Sequence, residues 1–374
     1  MRVCKAWYTL ACPFLYEHII LGKNGVLAPL RDGLSRAALE NRQAGWWTES
    51  LHVQMRDMTK TPETVFATLA DILTYLPNLC ILTFSITGRG FFPLSSPLPN
   101  VVLNSITSSG SLRCVQWYNC VSTPLPHHWT TFLQRHPEIE VLDGAQSIEL
   151  NARIKLCAVK IVHGYPNEKG HLTGWSMPDL PCVRSMFYNL TYGCAIEDAI
   201  TFSRLGQNLT DIQLDVFEER YLRIERLDPT FSRIRTKCTR LTRVVLGVLS
   251  WSILGSYTPT LSSTVHTLGI RVMNAQVSAT NVKRLFNTLL PSYVAYNPSL
   301  KTIKFLEAKN IRALRSHPIS LWHGLRVMEN LGVVIKDLED RLIAPPSCPG
   351  VIHLQQQLDT PSSTSTLDDH HPTS

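Results

Sequence analysis

The sequence predicts an α/β solenoid, a stack of short units in which each unit supplies one strand and one helix and the strands line up in a parallel sheet. Two observations predict it. The first is a signature, apolar-x-x-apolar-x-apolar, at Leu79–Phe84, Leu112–Trp117, Val183–Tyr188, Leu209–Leu214, Leu241–Leu246, Val265–Ile270 and Leu300–Phe305, with weaker copies starting at Ser50, Ile139 and Leu156. Its last two apolar positions are two apart, so on a strand they face one side and the residue between them faces the other. The second is a change of period between copies. Val65, Leu69, Ile72 and Leu76 follow a helical spacing.

The copies lie 17 to 35 residues apart, a spread centred near the period of leucine-rich repeats. The expected architecture is therefore an irregular leucine-rich-repeat solenoid, a horseshoe with a parallel sheet on one face and helices on the other. The competing architecture is an ordinary mixed α/β domain whose strands share a pattern. Thr61-Pro62-Glu63 opens a helix with an N-cap residue, a proline at the first helical position and an acid near the positive end of the dipole, and Pro77 is expected to end it. Ser278 leads into Val282, Leu285, Phe286, Leu289 and Leu290 in the same way, with Pro291 as the stop. Regular repeats carry Asn or Cys just after the strand; Asn189 and Cys120 are the close approaches, so the repeats read as degenerate. Gly88 to Pro99 and Tyr165 to Pro181 read as insertions forming loops on one rim.

Val3, Trp7, Leu10 and Phe14 fall at i, i+4, i+7 and i+11, which predicts a short amphipathic helix over Val3–Ala11, stopped at Cys12-Pro13 and followed by an extended segment from Leu15 to Leu21. The stretch VCKAWYTLACPFLYEHIIL resembles the C-terminal part of the F-box as it occurs in large families of fungal proteins, where it precedes degenerate leucine-rich repeats. Val3, Cys4, Lys5, Trp7, Leu10, Ala11, Pro13, Leu15 and Tyr16 carry the match, over about a twentieth of the chain. The resemblance implies a substrate-recognition subunit of an SCF-type (cullin-RING) ubiquitin ligase. Val3, Trp7, Leu10, Pro13, Leu15 and Tyr16 would then contact the SCF adaptor subunit, which links to the cullin, while the repeats select a protein substrate. The two helices that open a full F-box do not precede Met1 in this sequence, so adaptor docking is expected to be weak. The implied organisation is a partial F-box-like helix and linker over 1–25, a repeat domain over 26–343 and a tail over 344–374 whose Pro, Gln, Ser and Thr content predicts disorder.

If the array binds a protein, the residues pointing out of the core should form the contact surface: Thr83, Gln116, Phe187, Gln213, Val245, Gly269 and Lys304. These are mixed and mostly neutral. With a net charge of +7 but only 17% charged residues, and with Arg233, Arg235, Lys237, Arg240 and Arg243 as the densest basic run, a mildly basic nucleic-acid binder is the rival reading, disfavoured because no basic-aromatic alternation accompanies the charge. A repeat scaffold without a ligase link is the other. Motifs for phosphate cradles, nucleophile elbows and zinc peptidases are missing from the sequence, no cofactor is expected, and the ten cysteines have no zinc spacing. They are expected to be free and mostly buried. His127-His128 after Pro124 and Pro126 reads as a surface loop, and Glu218 to Arg226 as a solvated helix face. The apolar runs are too short to span a bilayer, so the expected setting is cytoplasmic or nuclear.

Overall fold

The computed structural model describes residues 5–42, 44–55, 61–86, 94–106, 110–117, 122–143, 156–164, 180–189, 202–216, 224–254 and 258–343. Val3, Cys120, the loop over 165–179 and the tail over 344–374 lie outside them, as do residues 217–223. Twelve strands form one open, all-parallel sheet: β1 (His18–Leu21), β2 (Ser50–Met55), β3 (Ile81–Ile86), β5 (Cys114–Trp117), β7 (Val141–Asp143), β8 (Ile161–Gly164), β9 (Ser185–Asn189), β10 (Asp211–Val216), β11 (Arg243–Val248), β12 (Thr267–Val272), β13 (Thr302–Phe305) and β14 (Val334–Lys336). Their order in the sheet is their order in the chain, and β1 and β14 are its two edges. Such an order is what a stack of successive units produces. Two short strands, β4 (Leu94–Ser96) and β6 (Ser122–Pro124), pair separately, so part of the expected rim loop over Gly88–Pro99 is a strand followed by the helix Leu98–Ser105.

Each strong copy of the signature starts two residues before its strand. Those two residues are the strand entrance. The N–H groups of Cys80 and Ile81 both donate to the carbonyl of Glu49, those of Arg113 and Cys114 to Cys80, and those of Glu140 and Val141 to Arg113; the same doubling recurs through Lys160, Arg184, Thr210, Thr242 and His266. Just upstream, a three-residue turn closes before most strands, as Leu79 to Leu76, Val159 to Leu156, Val183 to Leu180 and Leu241 to Cys238. The first apolar position of the signature is thus the turn's end, tucked under the sheet.

The strands place two inward rows in the core. Leu51, Leu82, Val115, Leu142, Val162, Met186, Ile212, Val244, Leu268, Ile303 and Ile335 are register partners and all are buried, as are Val53, Phe84, Trp117, Tyr188, Leu214, Leu246, Ile270 and Phe305 two residues further along. Helices pack on this face. Phe66, from the helix Pro62–Thr74, stacks on Trp117 of β5 with ring centroids 6.1 Å apart, and Trp117 meets Phe84 of β3 at 4.4 Å.

Three proline expectations are corrected. The first helix runs Lys5–Tyr16, straight through Pro13, because a proline there deletes one hydrogen bond while Glu17 still donates to the Pro13 carbonyl at 2.9 Å; the extended segment therefore begins at His18. Pro291 does not end the helix begun at Ser278. A π-helical stretch over Leu285–Leu289 widens the turn before it, Pro291 sits in the first turn of Leu290–Tyr296, and the missing donor falls where none is needed. Pro126 opens a helix, Pro126–Arg135, where a loop was expected; Trp129, Phe132 and Leu133 bury its inner side, and His127 and His128 occupy its first turn. By contrast Ser278 caps as expected, its hydroxyl accepting from Asn281 N–H at 3.2 Å. One helix per unit is not the rule either, since two helices, Ala308–Arg315 and Pro318–Asn330, lie between β13 and β14.

Candidate interaction face

The face of the sheet opposite the helices is ordered by the same register. Thr83, Gln116, Phe187, Gln213, Val245, Gly269 and Lys304 fall in a single hydrogen-bonded row, which also takes in Ile20, His52, Asp143, His163 and Lys336 by backbone position. The side chains of Asp143 and His163 are outside the described set. A second row, two residues upstream, holds His18, Ser50, Ile81, Cys114, Val141, Ile161, Ser185, Asp211, Arg243, Thr267, Thr302 and Val334.

The seven outward residues are not equally reachable. Gln116, Phe187 and Gln213 are half-buried, whereas Thr83, Val245, Gly269 and Lys304 are covered by their neighbours. Thr83 donates toward Gln116 Oε1 at 3.4 Å. Gly269 has no room for a side chain: a Cβ there would meet Val245 Cγ2 at 2.7 Å and Leu306 Cδ1 at 3.0 Å. Gly247, one strand over, is roofed by the Asp215 carboxylate.

From β10 onward the charges on this face are paired among themselves. Arg243 Nε lies 2.6 Å from Asp211, Arg271 Nε donates to Glu307 at 2.9 Å with Asp215 at 3.9 Å, and Lys304 Nζ donates to Asp340 at 2.8 Å. Burial pushes the Asp215 carboxyl above the usual range, against the hydrogen bond from Gln213 and the pull of Arg271. The basic run is therefore dispersed: Arg233, Arg235 and Lys237 ride the helix Ile224–Lys237, Arg240 sits in a turn, and Arg243 faces the other way on β11.

The first helix presents an apolar surface. Leu10, Phe14 and Leu15 are 65%, 80% and 69% exposed, while Cys12 is buried and Tyr16 packs on the core. Pro13 is half-buried, and Trp7 lies on the helix with its side chain outside the described set. This helix leads directly into β1, the first strand of the sheet.

One chemically suggestive constellation was not anticipated. His18 Nδ1 is 2.7 Å from Ser50 Oγ and its Nε2 is 3.1 Å from Glu17 Oε1, a serine-histidine-carboxylate chain. Ser50 is 1% exposed, so its oxygen cannot reach a substrate, and the arrangement serves as a cross-strand tie between β1 and β2. Polar ties of a second kind also escaped the sequence. Asn78, Ser111, Asn208, Thr264 and Ser299 each sit four residues before a core-row residue and donate to a carbonyl of the preceding unit, those of Trp46, Leu79, Pro181, Leu241 and Val265, at 2.6 to 3.1 Å. Asn310 spans the Val272 backbone, accepting from its N–H at 3.0 Å and donating to its carbonyl at 2.8 Å. Short polar residues just before five of the seven strong apolar triplets are the available signal. Among the described cysteines none is in a disulfide; Cys12 and Cys238 are buried, but Cys157 and Cys182 are exposed, which corrects the expectation of mostly buried thiols.

Among the described residues no cluster of three metal-ligating side chains occurs, and no described helix is long and apolar enough to cross a membrane. No family model matches the chain, and no curated protein matches it.

Proposed function

We propose that the chain is a protein-interaction module of the leucine-rich-repeat type, similar to the substrate-recognition subunits of SCF-type ubiquitin ligases, with the open face of the sheet as the substrate surface and the first helix as the adaptor-facing element. The observation that carries this reading is the single register row in which all seven outward residues fall, on a face free of the helices that bury the other side. An exposed apolar stripe on a helix, Leu10, Phe14 and Leu15, supports a second contact region, since contiguous apolar surface of that kind marks interaction sites. Away from the β14 edge, the substrate contact carries little net charge, because Arg243 and Arg271 on this face already have carboxylate partners. That pairing also counts against nucleic acid, which needs unpaired cations along a track.

The test is affinity purification of the chain, and of a form carrying the two helices that open a full F-box, read for the SCF adaptor and the cullin. Both should come down with the longer form and weakly with the shorter, because association must overcome roughly 4–15 kcal/mol of lost freedom. Leu10→Asp with Leu15→Asp should abolish that recovery, and Trp7→Ala should weaken it, while Phe187→Asp should lose substrates and keep the adaptor. Recovery of RNA in place of adaptor and cullin would favour the nucleic-acid alternative; recovery of proteins without adaptor or cullin would leave a repeat scaffold outside the ligase.

A further inference from the structure

At the β14 edge of the open face, the register sets Lys304 and Lys336 side by side on neighbouring strands. Lys304 is an unusual place for a cation: its side chain is only 11% exposed, and burying an ammonium is unfavourable without a counter-charge. The counter-charge arrives from outside the sheet. After β14 the chain makes a tight turn in which Asp337 accepts from the N–H groups of Glu339 and Arg341 and from Arg341 Nε, each at 2.9 Å. Asp340 stands at its tip in the left-handed region, φ 63°, and its carboxylate reaches over the sheet to Lys304 Nζ at 2.8 Å and Lys336 Nζ at 4.0 Å. Asp340 itself is two-thirds exposed. A solvent-facing carboxylate thus plugs a pair of ammonium groups, one of them recessed.

We propose that Lys304 and Lys336 form an oxyanion subsite of the interaction face, and that Asp340 is its resident occupant, which an incoming carboxylate or phosphate monoester displaces. Three features support this. The site holds a carboxylate already, so its geometry suits one. Lys304 belongs to the same row as Gln116, Phe187 and Gln213, so a ligand lying along that row ends at it. Gly269, the register partner of Lys304 on β12, carries no side chain to stand between Lys304 and the rest of the row. The Lys304 hydrogen bond, with the added pull of Lys336 and Arg243, also holds the Asp340 carboxyl below the usual carboxylate range, so the plug is ionised at neutral pH. The proposal builds on the reading of the open face as a docking surface, but its test needs no partner protein.

The experiment titrates inorganic phosphate and, separately, acetate into the full chain and into Asp340→Asn, reading backbone amide shifts and melting temperature. A tethered carboxylate competes at an effective concentration in the millimolar range or above, so Asp340→Asn should bind about tenfold or more tightly than the natural chain. Lys304→Gln placed on Asp340→Asn should remove that binding; should the double variant not fold, Lys336→Gln on the same background should weaken it. A stronger response to phosphate points to a phosphate monoester, an equal or stronger response to acetate to a carboxylate side chain. No saturable response in Asp340→Asn, or binding that survives loss of Lys304, would make the ion pair a brace for the last turn and overturn the proposal. Anion binding with no partner captured would instead fail the docking reading and leave the subsite standing.

Discussion

The two halves of the sheet solve the same packing problem with different chemistry. From β1 to β9 the open face is close to neutral, with Ile81, Cys114, Val141, Ile161 and Phe187 half-buried along it, and the helical side is knitted by aromatic rings such as Phe66, Trp117 and Phe84 or Trp129 and Phe132. From β10 to β14 the open face carries its cations in pairs with acids, and the helical side is tied by Asn297, whose amide accepts from Leu261 N–H at 2.6 Å and donates to the Pro259 and Tyr293 carbonyls, and by Asn310. A half that neutralises its own charges has already satisfied them and gains little from a charged partner. A neutral half with apolar ground still accessible gains from burial, at about 25 cal/mol per Å². On the docking proposal, the contrast puts the apolar contact on the N-terminal half and the proposed anion subsite at the far end.

The contrast presumes one core shared by both halves, and the largest expected effect tests that. Leu246→Asp drops an uncompensated charge into the core row, a penalty of several kcal/mol against a total stability of roughly 5–15. Circular dichroism should show no cooperative melt, and amide exchange should lose protection in both halves; protection surviving over β2–β5 would mean two independently folding pieces. Phe187→Asp, two strands away but on the open face, should leave the melt nearly unchanged.

Asn310→Ala should act on the C-terminal half alone. It strands the N–H and carbonyl of Val272 in the interior at roughly 2–4 kcal/mol, and exchange at β12 and β13 should quicken while β3 and β5 hold steady. Uniform quickening would show that the polar ties bind the whole array.

A smaller effect separates the halves by pH. Burial, aided by the positive charge of Arg135, pushes the His136 pKa down to about 4, and its Nδ1 has no hydrogen-bond partner. The ring is neutral in the fold and charges readily once unfolded, so its contribution is complete above the ordinary histidine value near 6.5 and is lost as pH falls from there toward 4, by up to about 3 kcal/mol. Urea melts at pH 7 and pH 4.5 should show that loss in the natural chain and a smaller one in His136→Phe. Equal acid losses in the two would place the sensitivity elsewhere.

Much of the strand layout was legible because the apolar triplet is a direct imprint of alternation on a buried sheet: the entrances at residues 81, 114, 185, 211, 243, 267 and 302 each follow a triplet start by two. β14 was overlooked, although Val333 and Ile335 alternate, because a three-residue strand carries half a signature. Prolines are hard to place from sequence. Pro126 and Pro291 sit in first turns, where a ring that removes one N–H is harmless, whereas Pro13 lies inside its helix and costs one hydrogen bond there, and nothing local in the sequence says which turn a proline will occupy. The outward row was legible as a set, because period two fixes the face. Its accessibility was not, since Lys304 is covered by an acid 36 residues away and Val245 by the packing that Gly269 allows.

The strand-entrance carbonyls have a consequence for how such a chain changes length. Each one holds only the next unit, so excising or duplicating a whole unit breaks one set of backbone rungs and remakes it with the following strand. A closed barrel would have to alter its circumference to do the same. An open row of this kind can be lengthened or shortened one strand at a time, and its open face grows or shrinks in steps of a single strand spacing of about 4.8 Å.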